Sequence, residues 1–355
     1  MTEEKIKHIY WFTHYNLASP SVRYRAKYPL DFAREKLGVD SHLVIPGYSL
    51  KRIVSFISAY LSALLFLKEN SIIVIQRVQS NFIYSNLLKL LVRVRRSQTI
   101  YDLDDADYLT HNPKTIHDFA RNCKFVSAGS CEILRYLKQF NKNVIHITSP
   151  TSDLQILKQK RNKTFTIGWI GAFGWGHKDS LYKYILPAIK HLPFKCRFVL
   201  VGVYNKSDEV ELYNYFSSSD NVELEIPSDI NWLDEVEIQN RIKQFDVGVA
   251  TLLNHPIQIA KSGIKAKQYM NNGVPVICND LPENNKLVIS GYNGFVCNTE
   301  KDITRRLIQI KEMSDKEYWK LSRNARHSRV DFNHYKYFKD FTLLTNRRIP
   351  VVNLI

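Results

Sequence analysis

The chain has 355 residues, 45% of them apolar, and carries 50 Lys and Arg against 34 Asp and Glu, a formal net charge of +16. This length exceeds what one hydrophobic core holds, so two domains of roughly 150 to 180 residues are expected, and the charge predicts a polyanionic partner: nucleic acid, an anionic membrane surface or a phosphorylated substrate. Five scattered cysteines without C-x-x-C or Cys/His ligand spacing argue against a disulfide framework and a structural zinc, and for a reducing compartment.

Residues 1–7 are charged and read as no secretory leader. From there, short apolar runs alternate with amphipathic stretches of helical length, the pattern of parallel sheets with helices on both faces. The first strand, Ile6–Thr13, runs into the polar loop His14 to Arg25 and a helix starting near Ser21, capped by Ser19 or Ser21. Arg23 and Arg25 fall in or near its first turn, where the helix dipole disfavours cations. That placement reads as a nearby anion or as a basic surface face.

A strand at Ser41–Ile45 precedes Ile53–Leu67, an uncharged run between Lys51–Arg52 and Lys68. As a helix it rises only about 22 Å, short of a ~30 Å hydrocarbon core, so a buried or interface-touching helix is expected rather than a span. The next strand, Ile72–Gln76, ends at Gln76-Arg77, a candidate hydroxyl- or phosphate-binding pair. The fourth, Gln98–Asp102, leads into Asp102, Asp104, Asp105 and Asp107. Carboxylates crowded this closely raise some of their own pKa values, which suits acid/base, hydroxyl-holding or metal work, or else an acidic turn capping the next helix. Strands at Phe125–Ala128 and Val144–Ile147 complete the first half.

The polar segment Ser149 to Lys163 reads as an interdomain linker. The pattern then restarts, with strands at Thr166–Ile170, Arg197–Val201, Val222–Ile226, Val247–Ala250, Val274–Cys278 and Gly294–Val296. Open α/β sheets bind ligands beyond the carboxyl ends of their strands, and the informative residues sit there. The first of these strands ends in Gly171-Ala172-Phe173-Gly174-Trp175-Gly176-His177-Lys178. It lacks the G-x-G-x-x-G spacing and the acidic residue about 20 positions on that a dinucleotide site needs, so a nicotinamide enzyme is not expected. Its backbone suits a sugar or phosphate, with Lys178 balancing charge, and an ordinary strand-to-helix loop fits it as well.

The stretch from Lys261 to Ile277 reads as a basic, glycine-containing turn, a short helix and a buried strand. Amides freed at the helix start, with Lys261 and Lys265 beside them, suit a diphosphate; an ordinary helix-to-strand connection with solvated lysines suits the same residues. No G-x-S-x-G, H-E-x-x-H or Walker A pattern occurs, which leaves hydrolase triads and P-loop NTPases without a foothold. The aromatic segment Asp315 to Leu344 reads as a packing helix.

Four pieces in order resemble retaining GT-B glycosyltransferases, close to the large glycosyltransferase family four. Lys261, Gly263, Lys265, Gln268, Tyr269, Met270, Gly273, Pro275 and Val276 stand in register with a Gly-Lys-Cys-Gly-aromatic-Lys-x-x-Gln-Tyr-Met-Ala-x-Gly-x-Pro-Val-Val pattern, with Asn284 and Gly291 to Phe295 matching downstream. Ser21 to Arg25, Tyr101 to Ala106 and Ile167 to Gly171 supply the rest. The resemblance implies an α/β chain of GT-B architecture: two Rossmann-like parallel-sheet domains facing across a cleft, with a C-terminal helix returning to the N-terminal domain. The spans are 1–150 for acceptor binding, 151–330 for the nucleotide sugar and 331–355 for the returning helix.

It further implies a glycosyltransferase moving a sugar from a nucleotide-sugar donor to a hydroxyl acceptor, a glycan or lipid-linked saccharide of cell-surface polysaccharide synthesis, with retention at the anomeric carbon. A UDP-sugar is preferred to a GDP-sugar, and no metal or other cofactor is required. Asp104, Asp105 and Lys265 are the catalytic candidates. Gly171, Ala172, Lys178, Lys261, Ser262, Gly263, Ile264, Lys265 and Gln268 are candidates for the donor, and Arg23, Arg25 and Arg77 for an acceptor or anion. The expected location is cytoplasmic and peripheral on the inner face of an anionic membrane. The chain departs from the wider family where that family has two glutamates separated by seven residues, here Ala260 and Gln268, and at Pro282 and Lys286. The alternatives are a sugar-nucleotide epimerase or a catalytically degenerate subunit. A nucleic-acid-binding protein would carry an RNP, KH or helix-turn-helix signature, and none is present.

Overall fold

Continuous apolar runs, rather than alternating ones, mark central strands buried on both faces, and the twelve strands among the described residues form parallel ladders. The computed structural model describes residues 5–78, 81–174 and 176–347; residues 1–4 and 348–355, at the ends of the expected first and third spans, lie outside the description, as does Trp175 in the glycine loop. The first sheet comprises β1 (His8–Thr13), β2 (Asp40–Val44), β3 (Ser71–Gln76), β4 (Thr99–Leu103), β5 (Phe125–Ala128) and β6 (Val144–His146), in the order β2-β1-β3-β4-β5-β6. The second comprises β7 (Phe165–Ile170), β8 (Cys196–Val201), β9 (Val222–Glu225), β10 (Val247–Ala250), β11 (Val276–Cys278) and β12 (Gly294–Val296), in the order β12-β11-β10-β7-β8-β9. The latter is the strand order of dinucleotide-binding sheets, reversing between β7 and β10.

The chain divides into two compact units. One holds Met1–Ser152, Ala260–Ser262 and Phe332–Ile355; the other holds Asp153–Ile259 and Gly263–Asp331. In the first unit one face of the sheet packs against helices Leu50–Leu65, Phe82–Val94, Lys114–Asn122 and Cys131–Leu137 through Tyr60, Leu88, Leu91, Phe119 and Ile133. The other face packs against helices Tyr28–Leu37 and His334–Thr345 through Leu30, Phe32, Tyr337, Phe338 and Phe341. The aromatic segment expected as one packing helix is two, Asp315–His327 and His334–Thr345; the second fills the core of the first unit, and Tyr337 fastens it by donating to the Arg25 carbonyl at 2.7 Å. The second unit has one large cluster running from Phe165 and Trp169 to Tyr318 and Leu321.

The first crossover helix of each unit contains a π-turn, and proline explains both. Tyr28 bonds back to the Arg23 carbonyl and Leu186 to the Leu181 carbonyl, five residues apart, and each is followed directly by a proline, Pro29 or Pro187. A proline ring has no N–H and collides with the carbonyl four residues earlier; widening the preceding turn relieves both problems. Among the described residues no helix is long and apolar enough to cross a membrane, and Leu50–Leu65 is 16 residues long.

Candidate functional site

Each sheet presents one group of polar residues beyond the carboxyl ends of its central strands. In the first unit these follow β1, β3 and β4. The Asp102 side chain lies within β4, fully buried, and pairs with Arg25 through both of its oxygens, Arg25 Nε donating to Oδ2 at 2.8 Å and an NH2 donating to Oδ1. The rest of that guanidinium donates to the Ile147 carbonyl at 2.7 Å and to Ser127 Oγ at 3.0 Å. Arg25 is thus sealed and satisfied, which corrects its assignment to anion or acceptor binding. Arg23 is likewise only 3% exposed and donates to the Leu17 and Ala18 carbonyls at 2.7 and 2.9 Å, bracing the loop ahead of its helix.

The other three carboxylates surround Arg77. This residue adopts φ = 55°, a left-handed conformation uncommon without glycine. Its guanidinium forks onto Asp107 at 2.8 and 2.6 Å, lies 3.4 Å from Asp105 and 3.8 Å from Asp104, and covers the Tyr15 ring at 4.8 Å. Arg77 is therefore saturated by its own chain's acids and organises them, a change from its expected role as a site for an external anion. Asp104 accepts from Ser21 Oγ at 2.7 Å; Ser21 accepts from Gln76 at 2.9 Å, and Gln76 accepts from Trp11 at 3.0 Å. This relay fixes one Asp104 oxygen to the start of the first helix.

The two candidate catalytic acids are electrostatically unlike. Burial pushes the Asp104 carboxyl above the usual range despite Arg77 and Arg25 nearby. Burial acts on Asp105 in the same direction, but Lys261 and Arg77 outweigh it and hold that carboxyl below its usual value. Lys261 donates to Asp105 at 2.7 Å. Ala260 beside it is fully buried in the apolar cluster of the first unit. His14, the first residue beyond β1, has its pKa lowered by burial and by Arg77 and His111, with Asp107 opposing, so it is neutral near pH 7. The sequence signal for His14 is its place directly after the first strand.

In the second unit the ladder between β7 and β10 ends at Gly168 opposite Gly248. Beyond it the Tyr269 hydroxyl bridges the two strands, accepting from Ile170 N–H at 3.1 Å and donating to the Val249 carbonyl at 3.3 Å. A side chain at Gly248 would overlap the Tyr269 ring. Tyr269 belongs to helix Ile264–Asn271, so this plug sets the helix start over the sheet's reversal point, where Rossmann-like sheets take phosphates. Gly263, the residue before the helix, has φ = 69°, and a Cβ there would lie 2.6 Å from Leu287.

Lys265, in the first turn, lies 5.4 Å above the Trp169 ring, and its ammonium is 3.1 Å from His177 Nε2. An ammonium only donates, so His177 Nε2 is the acceptor in this contact. The stem of Lys265 crosses Gly171 closely: a Cβ at Gly171 would be 2.6 Å from Lys265 Cε. Gly171, Lys265 and His177 are thus brought together, with the exposed Ala172 next in the loop. Gln268 is buried, while Ser262 and Ile264 are half-buried on either side of Gly263.

Lys178 is not part of this group. It donates to Asp208 at 2.8 Å and to Glu211 at 2.6 Å, away from Lys265 and His177. Successive residues on a helix point about 100° apart, so His177 and Lys178 cannot share one direction, and the histidine faces Lys265. Asn284 and Asn293 serve the scaffold. Asn284 donates to the Asn279 carbonyl at 2.9 Å, and Asn293 donates to the Leu287 carbonyl and to Ser328 Oγ, both at 2.9 Å.

Residues 164–312 match the family described as glycosyl transferases group 1. Solved structures reproduce the fold over nearly the whole chain. The Anabaena protein HepE in complex with UDP-glucose aligns with a TM-score of 0.65 at 13% identity, over 95% of this chain and 99% of that one. A sucrose-phosphate synthase from Thermosynechococcus elongatus gives 0.65 at 12%, over 96% and 98%. A glycosyltransferase from Rickettsia africae gives 0.66 at 11%, over 96% and 100%. The protein is a glycosyltransferase with the GT-B fold. No curated protein matches its sequence significantly. In this glycosyltransferase the matched family covers the second unit's glycine loop, its Lys265 helix and the Tyr269 plug between them.

Proposed function

We propose that the chain transfers a sugar from a nucleotide-sugar donor to a hydroxyl acceptor with retention at the anomeric carbon. The observation that carries this reading is Lys265 in the first turn of a helix whose start Tyr269 pins over the reversal point of a β7–β10 sheet. Departure of a nucleoside diphosphate leaves about two negative charges to stabilise. The amides around Gly263 and Ile264, the Lys265 ammonium and Lys261 are the groups for that task. The leaving phosphate oxygen takes the acceptor proton in a front-face step. Asp105, held ionised, and Asp104, hydrogen-bonded to Ser21, are the groups of the first unit that orient acceptor hydroxyls.

The donor in this reading is a UDP-sugar in preference to a GDP-sugar. The acceptor in this reading is a glycan or lipid-linked saccharide of cell-surface polysaccharide synthesis, met by a cytoplasmic enzyme lying peripherally on an anionic membrane. No metal is assigned a role, because Lys261, Lys265 and the helix amides supply the countercharge. Release of nucleoside diphosphate from a panel of UDP- and GDP-sugars tests the proposal. Lys265→Ala is expected to lower kcat at least about tenfold. Wild-type kinetics in that variant would remove Lys265 from the mechanism.

A second reading, a catalytically degenerate subunit, is favoured by Ala260. The residue standing where the wider family has a glutamate is buried in apolar surroundings that would not accept a carboxylate unpaid. Donor binding without diphosphate release across the panel would select it.

A further inference from the structure

Helices Leu50–Leu65 and Phe82–Val94 lie side by side on one face of the first sheet. Tyr60 donates to the Leu87 carbonyl at 3.1 Å, Arg95 donates to the Leu64 carbonyl at 3.0 and 2.8 Å, and Phe56 packs on Tyr84 with ring centroids 5.2 Å apart. Their inner faces are occupied by Tyr60, Ala63, Tyr84, Leu88, Leu91 and Val92. Their outer faces are also apolar. Leu50, Ile53, Val54, Ile57, Leu61 and Leu65 are exposed at spacings of three and four, and Ile83, Leu90 and Val94 continue the surface on the neighbouring helix. Tyr48, Phe66 and Phe82 project at the ends, 93%, 76% and 80% exposed.

An apolar surface of this extent is a docking surface, and its charges select the occupant. Residues 48–68 and 81–98 contain no Asp or Glu, but they contain Lys51, Arg52, Lys68, Lys89, Arg93, Arg95 and Arg96. Among the described residues only Lys89 of these meets a carboxylate, Asp118 at 2.7 Å. Arg96 carries the positive rim onward into a cavity of about 530 Å³, lined also by Arg121, Lys124 and Lys142 and by no acid. A second copy docking here would set cation against cation. A sheet of lipid phosphates over an acyl layer matches both the apolar stripes and the rim. Sixteen residues of helix rise about 24 Å, short of a hydrocarbon core, so the pair fits on the surface and not across it.

We propose that these two helices form the membrane-docking face, lying flat on an anionic bilayer with their outer residues at the acyl boundary and their cations among the phosphates. This deepens the membrane-peripheral reading above and rests on it. Flotation of the full chain with vesicles of phosphatidylcholine alone, and of phosphatidylcholine mixed with phosphatidylglycerol, tests it. The wild type is expected to float with the mixed vesicles, less so as salt rises, and to stay down with the neutral ones. Ile57→Glu with Leu61→Glu is expected to lower the bound fraction about tenfold, and Arg52→Ala with Arg93→Ala to shift binding to lower salt. Circular dichroism and diphosphate release on a water-soluble acceptor check that these variants are folded. A wild type that never floats overturns both the face and the membrane reading. A wild type that floats together with both variants overturns the face alone. Light scattering that shows a dimer abolished by Ile57→Glu would overturn the lipid occupant in favour of a second copy.

Discussion

Arg25 shows what a charge in an unfavourable place means. A cation near a helix start implied an anion close by, and the anion is Asp102 of the same chain, a strand residue that the sequence had grouped with the candidate acids. The pair is wholly buried, so removing one partner strands a charge in a medium that cannot solvate it. Arg25→Met is expected to destabilise the chain by about 3–5 kcal/mol in urea unfolding. Arg25→Lys is expected to recover little, because one ammonium cannot reach Asp102, Ser127 and the Ile147 carbonyl together. Asp105 gives a prediction in pH. Its folded pKa is depressed, so its contribution is fully present above the ordinary Asp range near 3.9 and is lost as pH falls through the folded value. The difference in urea midpoint between wild type and Asp105→Asn should therefore be largest near neutrality and vanish in strong acid. A difference that grew on acidification would contradict the Lys261 pairing.

At the scale of elements, the strands were legible because each central strand is apolar on both faces, and every expected run lies within two residues of an observed one, as with Val274–Cys278 against Val276–Cys278. What local pattern could not convey was where side chains meet across elements. Lys178 and His177 are adjacent in sequence, and only packing determines which of them faces Lys265. The same limit hid the bridging role of Tyr269, which reads in sequence as one more helix aromatic. Tyr269→Phe keeps the ring against Gly248 but leaves the Ile170 N–H and the Val249 carbonyl without their partner. A loss of about 1–3 kcal/mol is expected in chemical denaturation, together with a fall in kcat as the Lys265 helix loses its register over the strand ends. An unchanged kcat would show that the bridge serves stability alone.

For the molecule as a whole, the first unit is assembled from distant stretches of chain. Tyr337, Phe338, Phe341 and Leu344 occupy one face of its sheet, packed with Trp11, Leu30 and Phe32. Losing one buried aromatic typically costs about 3–5 kcal/mol, and a domain's whole stability is about 5–15 kcal/mol. Truncation after Asp331 is thus expected to leave residues 5–152 unable to hold a fixed structure, while Asp153–Asp331 remains protected. Limited proteolysis with fragment mapping distinguishes this from a local fraying, in which both halves would stay resistant.

The same returning helix imposes an order on synthesis. A growing polypeptide ordinarily completes its domains in the sequence in which they leave the ribosome. Here the stretch made first must wait, one apolar surface uncovered, through some two hundred further residues until His334–Thr345 emerges. The half translated second is finished first, and in the interval the nascent chain presents a wet sheet face that a holdase chaperone would be suited to cover.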